Sequence, residues 1–96
     1  MNEYLLLVHG NTKSPETAAD WSRFLAAALE SGFFRGGSEV GEKIPLGDLT
    51  ALPSSAHIVG YMRFDADDRT QLLELLHQHP TVLRGGTVEL CTLPKS

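Results

Sequence analysis

Apolar positions along this chain follow two rhythms, and the change from one to the other marks out the elements. Residues 3 to 9 open with Leu5, Leu6, Leu7 and Val8 in succession. A strand that is apolar on both sides has both of its faces covered. Gly10 and Asn11 end it. Ser14, Pro15 and Glu16 then have the character of an N-cap, a first helical residue and a first-turn acid. The spacing predicts a helix to about Ser31, burying Ala18, Trp21, Leu25, Ala28 and Leu29 and leaving Asp20, Arg23 and Glu30 to water, with Gly32 as the left-handed residue that stops it.

A second strand is predicted from Phe33 to about Lys43, where Gly36, Gly37 and Gly41 call for a bulge or an edge position. Residues 44 to 56 carry Pro45, Gly47, Asp48 and Pro53, a turn-rich loop of the length often used as a lid. Strand period returns at His57 to Phe64: Ile58, Gly60, Met62 and Phe64 suit a helix-packed face, and His57, Val59, Tyr61 and Arg63 the opposite one. Asp65 and Asp68 resemble a capping box before a second helix, with Leu72, Leu73 and Leu76 buried and Leu75 widening the stripe. Pro80 ends that helix, leaving His79 at its boundary. Gly85 and Gly86 turn the chain into a last strand, Thr87 to Leu93, in which Val88 and Leu90 point at the helices while Glu89 and Cys91 point away.

The order strand, helix, strand, strand, helix, strand is that of an α+β, ferredoxin-like βαββαβ fold: an antiparallel four-stranded sheet with both helices on one face. The other face of the sheet would then expose leucines of the first strand, more apolar surface than a monomer usually leaves in water. A homodimer is therefore expected, with two sheets facing one another around a shared cavity.

A chain of 96 residues is one domain, 1–96, long enough for an independent core. Its net charge is −4 and its basic side chains are scattered singly, which excludes the basic stripe that nucleic-acid binding needs. Cys91 is the sole cysteine, so no internal disulfide forms and a reducing compartment follows. The run Tyr4 to Val8 is too short for a membrane span and has no basic residues before it, so a cytoplasmic protein is expected.

On the dimer-facing surface the pattern collects His57, Tyr61, Arg63 and Glu89, joined by His9 in one register of the first strand. Imidazole, phenol, guanidinium and carboxylate over an apolar floor are the usual make-up of a small-molecule site. The same groups also suit plain interface, with Arg63 and Glu89 pairing across strands. A histidine among them would be the natural general base. No metal is expected: His77 and His79 diverge at a helix end, and Asp65, Asp67 and Asp68 are better explained by capping than by a calcium loop. The glycines match neither a P-loop nor a dinucleotide fingerprint, so no nucleotide cofactor is expected.

Three segments, the opening EYLLLVHG, then AAALESGFFRGG, then GYMRFDADD with LLELLHQHP and GGTVEL, resemble the YCII-related family, which includes DGPF-type proteins. The resemblance covers nearly the whole chain and implies a ferredoxin-like fold assembled into a dimeric α+β barrel. Where DGPF-type proteins carry their namesake segment, this chain has IPLGDLTALPSS. Where some members are thought to use a histidine of the first helix and an acid before the second-helix proline, it has Trp21 and His79. Only His79 carries over, as the DGPF-type variant of its position. Two readings follow. One is a binding protein that holds a small organic molecule, anionic or aromatic, in the inter-sheet cavity of the dimer through His9, His57, Tyr61, Arg63, His79 and Glu89. The alternative is a cofactor-free isomerase, lyase or oxygenase acting on a small ring compound, with His57, His79 or His9 as base.

Overall fold

The structure is a computed structural model that describes residues 1–50 and 55–95. Residues 51–54, within the predicted loop, and residue 96 lie outside the described residues. The elements are β1 (Asn2–His9), α1 (Ala18–Ser31), β2 (Phe34–Glu39), β3 (Ile58–Ala66), α2 (Arg69–Leu76), α3 (Pro80–Leu83) and β4 (Val88–Leu93). The four strands form one antiparallel sheet in the order β2-β3-β1-β4. This α+β architecture is compatible with the ferredoxin-like arrangement read from the sequence.

The two sides of the sheet differ as strand alternation requires. On the inner side Tyr4, Leu6 and Val8 of β1 and Met62, Phe64 and Ala66 of β3 are buried, and they form one core with Phe24 and Ala28 of α1 and Leu72, Leu75 and Leu76 of α2. On the outer side Leu5 lies between Arg63 and Cys91, and Leu7 between Tyr61 and Glu89. Among the described residues no helix covers that side: Leu5, Leu7 and Cys91 are half-buried, while Tyr61, Arg63 and Glu89 are exposed.

Helix α1 starts later than the Ser14-Pro15-Glu16 pattern predicts. Its N-cap is Thr17, and a reciprocal capping box joins Thr17 to Asp20. The Asp20 N–H donates to Thr17 Oγ1 and the Thr17 N–H to Asp20 Oδ2, both at 3.1 Å, so two otherwise orphaned donors are satisfied. The buried stripe is rotated accordingly. Asp20 is buried rather than solvated, Phe24 fills the centre, and Leu29, expected inside, is 69% exposed. Gly32 closes the helix at φ 78° as predicted.

In β2 the register slips between Phe34 and Gly37, the bulge anticipated from the glycines. A Cβ on Gly37 would collide with the Tyr61 carbonyl oxygen and sit 3.0 Å from Met62 Cα, so the two strands approach only because the side chain is absent. Asp68 alone caps α2, accepting from the Thr70 N–H at 2.9 Å. Asp65, expected in a capping box, belongs to β3 and takes the Arg35 Nε–H at 3.1 Å. Leu72, Leu75 and Leu76 are buried as expected, but Leu73 is exposed. Past the end of α2, Pro80 opens the separate short helix α3, with Pro at its first position and His79 as N-cap.

Candidate functional site: a cleft beside helix α1

A cleft of about 640 Å³ lies where the ends of β1 and β3 meet β2 and the first half of α1. Three of its lining residues are glycines, Gly10, Gly37 and Gly60, each at a close approach: an added Cβ would meet Val59 Cγ1 at 2.8 Å, the Tyr61 carbonyl oxygen and the Ser38 carbonyl oxygen respectively. Gly60 lies on the inner side of β3, two positions from Met62, where an added Cβ would sit 3.3 Å from the Ser38 carbonyl oxygen and 3.7 Å from Val8 Cβ. The apolar wall is made of Val8, Trp21, Leu25, Phe34 and Met62, and the polar members are His9, Thr12, Glu16, Ser38, Glu39 and Tyr61. A volume of this order, mostly apolar with a few placed polar groups, matches the roughly 300–1,000 Å³ of small-molecule sites.

Its wall is held from behind by a polar network. The Trp21 indole N–H donates to Glu16 Oε2 at 3.1 Å, and the Thr81 hydroxyl donates to Glu16 Oε1 at 2.5 Å. Glu16 thereby fixes the indole plane and ties the approach to α1 onto α3. One turn further on, Arg84 grips Asp20, whose carboxyl is held down at about 2, first by that guanidinium and then by the Thr17 N–H. Trp21 also meets the His79 ring edge-on, with centroids 5.1 Å apart.

His79 does not reach the cleft. It is fully buried against Trp21 and Phe24, and its Nδ1 accepts the Thr81 N–H at 3.1 Å. The ring proton is thus assigned to Nε2, which has no hydrogen-bond partner among the described residues. Burial pushes His79 down to about 4, although the Glu16 carboxylate pulls the other way. A neutral imidazole capping α3 inside an aromatic box is a structural histidine.

The remaining sequence candidates divide by position. His9 and Tyr61 are at the cleft. The His57 ring packs against His9, centroids 4.6 Å apart. His9 Nε2 bonds Glu89 Oε1 across β1 and β4. Arg63 and Glu89 are on the outer sheet face, but they do not pair as the pattern suggested: their β1 neighbours are Leu5 and Leu7, two positions apart, so each finds another partner. Arg63 lies 3.7 Å from Glu3. Sequence reasoning passed over Glu16, Leu25 and Phe34 as site residues and gave Trp21 to the core. Trp21 does pack on the core, yet it is half-buried and turns a side to the cleft. Among the described residues no group of three His, Cys, Asp or Glu side chains is placed to hold a metal ion, and no helix is long and apolar enough to cross a membrane. No protein-family model matches the chain, and no curated protein matches it.

Proposed function

We propose that this chain is a cytoplasmic, homodimeric binding protein of the YCII-related kind, and that it holds a small organic molecule in the cleft beside α1. The observation that carries the reading is the cleft itself: apolar walls from four elements and a tryptophan fixed in position by a carboxylate. A site whose walls are set before the ligand arrives loses little ordering entropy on binding. Support for the dimer comes from the outer sheet face, where Leu5, Leu7, Cys91 and Leu93 are half-buried and Val59 and Tyr61 stand 44% and 37% exposed. Two such faces packed together would form the barrel that the family resemblance implies. The lone Cys91 agrees with a reducing compartment.

The enzyme alternative draws on one specific observation. His9 is bonded to the Glu89 carboxylate at the cleft rim, the arrangement that orients an imidazole for general-base work. Thermal denaturation against a set of small ring compounds tests the binding reading. A stabilising compound should lose its effect in Leu25→Trp, which fills the cleft, and keep it in His9→Gln. A compound that is bound and then consumed by the native chain, but only bound by His9→Gln, would favour the enzyme. Stabilisation unchanged in Leu25→Trp would refute the cleft as the site.

A further inference from the structure

The charges around the cleft are of one sign. Glu16 and Glu39 are the carboxylates that line it, and among the described residues no lysine or arginine does. The nearby guanidiniums are engaged elsewhere: Arg84 and Arg23 with Asp20, Arg35 with Asp65 and Arg63 with Glu3. Any proton carried by His9 is balanced by its own partner, Glu89. Glu16 spends one acceptor site on each oxygen, to Trp21 and Thr81, and a carboxylate has about four such sites. Half-buried, it retains capacity for a donor in a setting where water competes poorly. Glu39, exposed on the rim, has no side-chain partner among the described residues. The aromatic side chains of Trp21 and Phe34 line the same cleft, and the faces of such rings carry the negative end of the ring quadrupole. Aromatic rings together with carboxylates favour a cation, and an anion would meet the carboxylates without a counter-charge.

We propose that the ligand of this cleft is a small cationic amphiphile: an apolar ring that lies against Trp21, Leu25 and Phe34, carrying an ammonium head that is drawn to Glu16 and, more weakly, to Glu39. This rests on the cleft being the binding site and specifies the chemistry it accepts. It differs from the anionic or aromatic ligand expected for a site in the inter-sheet cavity: Arg63 lies on that outer face as the pattern placed it, but outside the lining of the cleft and 3.7 Å from Glu3.

The test uses three probes that share a phenyl ring and differ in the head: phenethylamine, 2-phenylethanol and 3-phenylpropionate. Trp21 is the only tryptophan in the chain, so its fluorescence reports on the cleft without labelling. Phenethylamine should saturate the signal about ten-fold more tightly than the alcohol, the size of one partly desolvated cation–π contact or charge-assisted hydrogen bond. Phenylpropionate should bind more weakly than either. Glu16→Gln keeps the shape and should erase most of the preference for the amine. Glu39→Gln, which has no structural partner to lose, should reduce it roughly two-fold, as an exposed charge does. Equal affinity for amine and alcohol, or a preference for the acid, overturns the cationic ligand while leaving a binding cleft in place. No response of Trp21 to any of the three would remove the cleft reading as well.

Discussion

Arg84 donates from Nε and Nη2 to the two oxygens of Asp20, at 2.8 and 3.1 Å, joining the first turn of α1 to the segment between α3 and β4, 64 residues away in sequence. The planar fork of arginine fits a carboxylate in a way that a lysine ammonium cannot. Arg84→Lys should therefore lower the melting temperature by several degrees although the charge is retained, and scanning calorimetry would show it. An unchanged melting temperature would mean that the fork contributes nothing.

The same pair sets an acid limit. With the Asp20 carboxyl lowered from 3.8 to about 2 in the folded chain, the unfolded chain takes up the proton first. The contribution is fully present above pH 3.8 and is lost as pH falls towards about 2. Asp20→Asn should flatten the stability curve in that window. A native and a variant curve that run parallel there would contradict the assignment.

His79 acts in a separate window. Its folded value of about 4 lies below the ordinary 6.5, so well above pH 6.5 both states are neutral and the burial carries no pH penalty. Between pH 6.5 and 4 only the unfolded chain binds the proton, and stability should fall by up to about 1.4 kcal/mol per pH unit from this residue. His79→Asn retains an acceptor for the Thr81 N–H and should lose that slope, at the cost of a less well-filled core. In NMR titrations the His79 ring should remain neutral at pH 5.5; a midpoint near 6.5 would exclude the buried neutral state.

At the bulge, Gly37→Ala drives a methyl into backbone of β3 and should cost about 2 kcal/mol, or roughly 10 °C in melting temperature for a domain of this size. Gly41→Ala meets nothing within 4 Å and should remain within about 0.5 kcal/mol of the native chain. Equal effects at the two positions would show that the close approach of β2 and β3 is not a constraint.

The outer sheet face is tested by Leu7→Asp. Leu7 lies between Tyr61 and Glu89 on that face, so an aspartate there can be solvated in a monomer and buried only in a dimer. Light scattering should show a dimer for the native chain and a folded monomer for the variant; a native monomer would exclude the barrel.

Much of this fold was legible from alternation alone, because a strand's faces follow from period two. The inner set Gly60, Met62 and Phe64 and the outer set Tyr61 and Arg63 fell where the pattern placed them. Long-range pairs were not legible. Nothing local to Asp20 announces that Arg84 will reach it, so a burial stripe drawn on hydrophobicity left Asp20 in water and put Leu29 inside. Thr17, three residues before Asp20, carried a capping-box signal, but the Ser14-Pro15-Glu16 pattern stood earlier in the chain and obscured it. Pairing Arg63 with Glu89 needed the cross-strand register, which a single sequence does not contain. The cleft was hidden for a related reason: its walls come from β1, β2, β3 and α1, which are far apart in sequence and became neighbours only once the sheet was assembled and α1 laid against it.

The most direct measurement is an amide NMR titration of the labelled protein with small ring compounds, neutral and of both charges. The account predicts that a binder shifts the Trp21 indole N–H and the amides of Val8, Gly37 and Gly60, and leaves α2 and β4 unmoved. Shifts confined to the outer face around Arg63 and Cys91, or none with any compound, would contradict it.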